Sequence, residues 1–198
     1  MHKLLLDLPA CLETQRCTLR PYQPGDGPLL WAVGQRNQKH LARFESGNVL
    51  CTLQSKVGAE ILARQLAVDW AARNCFFLGV FDKSNHAFVA QIYIGVVSWD
   101  LPEFEVGYFA DVDHEGQGYV SEGVNAALGF IFEHLLAQRA RLVCDETNLR
   151  SQQVAERCGF RREAFFREKK RYPDGTLTGT LVYGLLRSEY EAMKAQLA

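Results

Sequence analysis

A chain of 198 residues, 47% of them hydrophobic, carries enough apolar surface for one sizeable core, so a single domain over 1–198 is expected. Its 22 basic and 23 acidic residues leave a formal net charge of −1, which argues against a protein built to coat nucleic acid; no direct DNA binding is expected. The apolar stretch at the N-terminus is broken by Asp7 and Pro9, too short for a signal-peptide core or a membrane span, which favours a cytoplasmic protein without membrane attachment.

"RPYQPGDGPLL" is a turn-rich loop leading into a first helix over 26 to 36, and a polar connection follows. In "SKVGAEILARQLAVDWAARN", Val57, Ile61, Leu62, Leu66 and Trp70 recur at helical spacing and predict a second helix. "CFFLGVF" and "AFVAQIYIGVV" are β-prone runs joined by the turn cluster "DKSNH", an antiparallel hairpin. "FEVGYFADV" predicts a third strand near 103 to 112. From Val120 the apolar positions Val124, Ala127, Leu128, Ile131, Phe132, Leu135 and Leu136 form an unbroken helical stripe. "ARLVCDET" is a short strand. "NLRSQQVAERCG" is a short helix with Asn148 as N-cap and Gly159 as the glycine that ends it, and "EAFFREKKRY" and "GTLVYGLL" are two more strands. The predicted order is α, α, β, β, β, α, β, α, β, β, with both opening helices ahead of any strong strand.

The stretch "HEGQGYVSEGVNAALGFIFEHL" links the third strand to this long helix. Strand, glycine turn, helix and strand make a βαβ unit, whose crossover places strands 103 to 112 and 140 to 146 side by side and parallel. Ligands in open α/β sheets sit outside the carboxyl ends of such strands, where this turn lies. Gly116 and Gly118 permit positive φ and close approach of a ligand, so that successive N–H groups and the helix dipole can face a phosphate. Glycine is also used in tight strand-to-helix turns for shape alone, and the motif by itself leaves both readings open. A Walker loop is absent, since no Lys follows the glycine, and a Rossmann fingerprint is absent, since position 121 is Ser.

"EVGYFADVDHEGQGYVSEG" followed by "NLRSQQVAERCGFRRE" resembles the two central motifs of the GNAT superfamily of acetyl-CoA-dependent N-acyltransferases, and most closely the Rim-type branch that acetylates protein N-termini. The matching positions are Glu115, Gly118, Val120, Glu122, Asn148, Ser151, Gly159 and Phe160, within a layout similar from about residue 12 to the end. The resemblance implies an α/β domain of the GNAT fold: a mixed, mostly antiparallel sheet with a central parallel βαβ splay, flanked by helices. It implies acetyl-CoA as co-substrate, an amine acceptor attacked directly in a ternary complex, no metal and no covalent enzyme intermediate; relatives of this type are often homodimers. Two positions depart from the pattern. Glu115 stands where Gln or Arg is usual and would put a negative charge beside the coenzyme's pyrophosphate unless it points to solvent, and Val120 stands where Gly or Ala is usual.

Three chemical tasks follow: deprotonating the amine, stabilising the oxyanion and protonating the departing thiolate. The coenzyme-binding positions implied are Phe109, Ala110, Gly116, Gln117, Gly118, Tyr119, Val120, Ser121 and Asn148, with backbone N–H groups near Phe109 and Ala110 facing the oxyanion. Ser151 is the implied thiolate protonator; by itself it also reads as a solvent-facing serine in a first helical turn. Glu105 is the candidate base and Glu103 the alternative, and either also reads as an edge-strand carboxylate in water. Glu122, in the first turn of the long helix, reads as a structural partner of the helix dipole. An α-amine with pKa near 8 costs only about 1 to 1.5 kcal/mol to deprotonate at pH 7, against about 4 to 5 for lysine, so a site without a spelled strong base suits the α-amine. A small-molecule amine acceptor and a non-catalytic coenzyme-binding module are the alternatives.

The remaining features have plainer readings. The six cysteines contain no C-x-x-C pair and read as reduced, mostly buried thiols, Cys144 among them. His114 with Asp111, Asp113 and Glu115 matches no zinc spacing and is expected in an exposed loop. "RREAFFREKKRY" carries Arg161, Arg162, Arg167, Lys169, Lys170 and Arg171, a solvated strand face or a contact for the coenzyme 3′-phosphate or an acidic macromolecule. In the Rim-type layout Asn37, His40, Arg43 and Phe44 would border the acceptor pocket.

Overall fold

The computed structural model describes residues 2–45, 47–172 and 174–197. Eight strands form one sheet: β1 (Leu12–Glu13), β2 (Cys17–Pro21), β3 (Cys75–Asp82), β4 (Phe88–Ser98), β5 (Glu103–Ala110), β6 (Arg139–Asp145), β7 (Arg161–Arg171) and β8 (Leu177–Leu186), in the order β1-β2-β3-β4-β5-β6-β8-β7. The helices are α1 (Gly27–Phe44), α2 (Lys56–Ala72), α3 (Tyr119–Gly129), α4 (Leu149–Arg157) and α5 (Arg187–Leu197). No helix among the described residues is long and apolar enough to cross a membrane.

The central βαβ unit is where the sequence places it. β5 and β6 are the parallel pair of an otherwise antiparallel sheet, and β3–β4 is the antiparallel hairpin. Parallel pairing runs only from Glu103↔Arg139 to Val106↔Leu142. Beyond it, β5 continues to Ala110 paired with β4 alone, and β6 continues to Asp145 paired with β8 alone. The two strands therefore part at their carboxyl ends, leaving one edge of residues 107–110 without a sheet partner.

Alternation along β5 divides the core between two faces. Val106 packs with Val124, Ala127 and Leu128 of α3, whereas Phe109 packs with Leu30, Val33 and Leu41 of α1 and Ala63 and Leu66 of α2. Each fully buried side chain of this size contributes about 1.5–3 kcal/mol of hydrophobic free energy.

Several elements differ from expectation. The strands β1 and β2 precede both opening helices; they are two and five residues long, too short for a periodic signal. α1 runs eight residues past 36, because Asn37 occupies an inward position of the Leu30, Val33, Leu41 stripe and is buried with polar partners. α2 is a helix as predicted, but its buried face is Ala59, Ala63 and Leu66, while Val57 and Ile61 are exposed. Small residues face α1 because the two helices pack closely. The long third helix changes to a π-turn over Phe130–His134, closed by Leu135 N–H donating to Phe130 O at 3.0 Å. The tail is helical, with Tyr190 of α5 stacked on Phe132 at 4.6 Å. All six cysteines are free; Cys144 is a buried core thiol, pushed by burial up to about 11.

Candidate active site

The parting of β5 and β6 opens a cleft of about 760 Å³, walled by the carboxyl end of β5, the turn before α3, the first turns of α4 and the C-terminal end of α1. Gly116 has φ +72° and Gly118 φ +82°, conformations that L side chains rarely adopt. Gly118 is the N-cap of α3, and no side chain caps this helix end. The first N–H groups of α3 therefore meet the cleft without an internal side-chain acceptor, an anion-ready terminus.

Most sequence-predicted residues meet here. Phe109, Ala110, Gly116, Gly118, Tyr119, Val120, Ser121, Asn148 and Ser151 all line the cleft. Gln117 does not: it is exposed, and its carbonyl accepts a hydrogen bond from Arg16 Nη1 at 3.1 Å. The Ser121 hydroxyl accepts from Arg157 Nη1 at 3.1 Å, which brings that guanidinium into the cleft wall. Asn148 caps α4 by accepting from Ser151 N–H at 3.2 Å. Glu122 turns away from the cleft, accepting from Thr14 Oγ1 (2.6 Å), Arg16 N (2.8 Å) and Arg16 Nε (2.7 Å). It fastens the β1–β2 turn to the start of α3, a structural role.

Glu115 does not point to solvent. It lines the cleft, paired with Arg150 of α4, and His40 Nε2 lies 3.6 Å from it. Arg150 offsets the negative charge of Glu115 at this end of the cleft.

In sequence, the Tyr108 of "EVGYFADV" reads only as a good strand former. Its hydroxyl lies 2.9 Å from Ser151 Oγ, either atom being able to donate, and 3.1 Å from the Ser151 carbonyl oxygen. Burial pushes the phenol well above its ordinary value, against a smaller downward pull from the bond with Ser151. It stays protonated across neutral pH.

The candidate bases Glu103 and Glu105 are not edge carboxylates in water, because β5 is central in the sheet. Glu103 accepts from Arg139 Nε at 3.1 Å, and Glu105 from Arg141 Nε at 2.8 Å and Nη2 at 2.7 Å; neither lines the cleft.

The Asp111 cluster is only partly the exposed loop expected: Asp113 is exposed and His114 and Glu115 half-buried, but Asp111 is not exposed. Asp111 is fully buried and accepts from Arg36 Nη2 (2.6 Å), Asn37 Nδ2 (2.9 Å) and Asp113 N–H (3.2 Å), with His114 Nδ1 at 3.2 Å. Asn37 is thereby turned inward and does not border the cleft, whereas His40, Arg43 and Phe44 do. None of the six basic residues of β7 lines the cleft; Lys170 comes nearest, donating from Nζ to Phe44 O at 3.5 Å.

The family model described as an acetyltransferase (GNAT) domain matches residues 16–161. The chain is 23% identical over 189 residues to the Bacillus subtilis (strain 168) protein named "Putative ribosomal N-acetyltransferase YdaF", covering 93% of this chain and 98% of that one. The solved structure of RimL, a ribosomal L7/L12 alpha-N-protein acetyltransferase in complex with coenzyme A, superposes with TM-score 0.79 at 16% identity, over 89% of this chain and 97% of that one. A ribosomal-protein-S5-alanine acetyltransferase from Vibrio fischeri superposes with TM-score 0.78 at 19% identity, over 92% of this chain and 99% of that one. The splayed strands, the positive-φ glycine turn and the extent of the family match lead to one conclusion: the chain belongs to the GNAT acetyltransferases.

Proposed function

We propose that this protein transfers an acetyl group from acetyl-CoA to the N-terminal α-amine of a protein or peptide, in a ternary complex. The observation that carries the reading is the Tyr108–Ser151 hydroxyl pair, set in the cleft beside the unpaired edge of β5 and opening onto the Gly116–Val120 turn. Acetyl-CoA supplies the activated acetyl group and a thiolate leaving group. The α3 N-terminus, with Arg150 offsetting Glu115, holds the pyrophosphate. The backbone N–H of Ala110, on the unpaired edge of β5, orients the acetyl oxygen. The Tyr108–Ser151 pair delivers a proton to the sulfur, Tyr108 as donor and Ser151 as its relay or partner donor. Asn148, by capping α4, fixes the backbone that sets Ser151.

The α-amine is favoured because deprotonating it at neutral pH is far less costly than deprotonating lysine. YdaF, RimL and the S5-alanine enzyme carry names in the same sense. Steady-state kinetics on a peptide with a free N-terminus tests the reading. Tyr108→Phe should lower kcat by about 10²-fold, the size of one general-acid contribution, with KM for acetyl-CoA changed less than about twofold. An unchanged kcat would remove Tyr108 from the chemistry. Turnover confined to small amines would replace the peptide acceptor with a small molecule.

A further inference from the structure

The α1 end of the cleft contains a carboxylate that no described residue pairs with directly. Glu45 is the C-cap of α1, and its backbone is pinned: its N–H donates to Leu41 O at 2.8 Å, and its carbonyl accepts from Asn48 N–H at 2.8 Å and Cys51 Sγ at 3.8 Å. The side chain lines the cleft together with Phe44, Tyr108 and Ser151.

Other carboxylates around the splay have partners: Glu103 is matched to Arg139, Glu105 to Arg141 and Glu115 to Arg150, and Asp145 accepts from Thr147, Tyr172 and Thr178. Among the described residues the Glu45 carboxylate has neither a hydrogen bond nor an ion pair. The charged and titratable groups facing it are Lys170 from β7, Glu105 and Tyr108 from β5, and Cys51 from the turn after α1. Lys170 is the cation that acts on it, and its Nζ donates to the Phe44 carbonyl at 3.5 Å. A partly buried carboxylate left this way is completed by a cation from outside.

We propose that Glu45 binds the acceptor's ammonium group and takes its proton, which makes the α1 end of the cleft the amine site. This rests on the acetyl-transfer reading above and adds the base that the reading lacked. The acceptor nitrogen gives one proton to the Glu45 carboxylate and its lone pair then bonds to the acetyl carbon. The carbon–sulfur bond breaks with its electron pair going to sulfur, and the thiolate takes a proton from the Tyr108–Ser151 pair. The second proton shed by nitrogen leaves to water as the amide forms, and the hydroxyl pair is reprotonated from water.

The basicity of Glu45 suits this task. Burial, opposed by Lys170 and reinforced by Glu105, raises its carboxyl from the ordinary range to about 7. An α-amine near pKa ~8 then passes its proton to a base only about tenfold weaker, whereas an ordinary carboxylate would be several thousandfold weaker.

The test is kcat/KM for a free-N-terminus peptide between about pH 6 and 9.5, for wild type, Glu45→Gln and Glu105→Gln, with acetyl-CoA affinity measured alongside. Glu45→Gln should lose about 10²-fold at pH 7, recover much of the deficit at high pH as the amine deprotonates unaided, and bind acetyl-CoA within about twofold of wild type. Glu105→Gln should lose less than about tenfold, since its charge is already held by Arg141. The glutamine variant should also fold. A raised carboxyl pKa removes native stability as pH rises from about 4.5 to 7, so at pH 8 its Tm should equal or exceed that of wild type. An active wild type with an unchanged Glu45→Gln profile overturns Glu45 alone. Loss that is uniform across pH and accompanied by weakened acetyl-CoA binding makes Glu45 structural and also overturns it. A wild type inactive on every peptide and small amine overturns the transfer reading and Glu45 with it.

Discussion

Gly118→Asp should weaken acetyl-CoA binding by at least about 100-fold in calorimetric titration, roughly 2.7 kcal/mol, while leaving the protein folded. Folding survives because Asp is one of the residues that tolerate a left-handed backbone and is also a preferred N-cap. The same capping is what removes binding: the new carboxylate occupies the α3 N–H groups intended for the pyrophosphate and repels its charge. A Cβ at this position would also stand 3.4 Å from Arg16 Nη2, whereas one at Gly116 meets nothing within 4 Å. Gly116→Ala adds neither charge nor cap and should lose much less binding, although its positive φ costs some stability. An aspartate variant that binds as tightly as wild type would mean that the turn is not the pyrophosphate socket.

The second large effect concerns stability. Asp111→Ala should destabilise the protein by about 1–3 kcal/mol in denaturant unfolding at pH 7, the range for leaving a buried polar group without its partner. The substitution leaves Arg36 with only the exposed Asp113, 3.5 Å away, as counter-ion, and the fully buried Asn37 amide without one of its acceptors. Burial alone would raise the Asp111 carboxyl, but donation from Arg36, Asn37, Asp113 and His114 outweighs it and holds the group below its ordinary value. A depressed carboxyl contributes stability above its unfolded value of about 3.9 and loses it as pH falls further. The gap between wild type and variant should accordingly close below about pH 4. Because α1 carries His40, Arg43, Phe44 and Glu45 into the cleft, the same variant should raise KM for the acceptor. A destabilisation below about 1 kcal/mol would show that α1 is held by its apolar face alone.

The parts of the molecule legible in sequence were those with local causes. β5, the glycine turn, α3 and β6 follow from period, turn chemistry and the handedness of βαβ units, and they placed the cleft before any tertiary contact was known. What sequence did not disclose depends on partners distant along the chain. Asn37 reads as the end of a helix until Asp111 is seen to receive it, and α1 is longer for that reason. The exposed face of α2 is set by the close approach of α1, not by its own spacing. Tyr108 is ordinary in a strand until Ser151, 43 residues later, meets its hydroxyl. Glu115 seemed to oppose the coenzyme because Arg150, on another helix, could not be paired with it from spacing. Glu103 and Glu105 looked available as bases because the arginines that hold them lie on the neighbouring strand.

The most direct test of the account is to map where the acetyl group goes. A peptide carrying both a free N-terminus and an internal lysine is incubated with acetyl-CoA and the protein at pH 7, and the product is fragmented in a mass spectrometer. Acetylation of the N-terminal nitrogen, with the lysine unmodified, is the predicted result. Acetylation of lysine alone, or of neither nitrogen while small amines turn over, would contradict it.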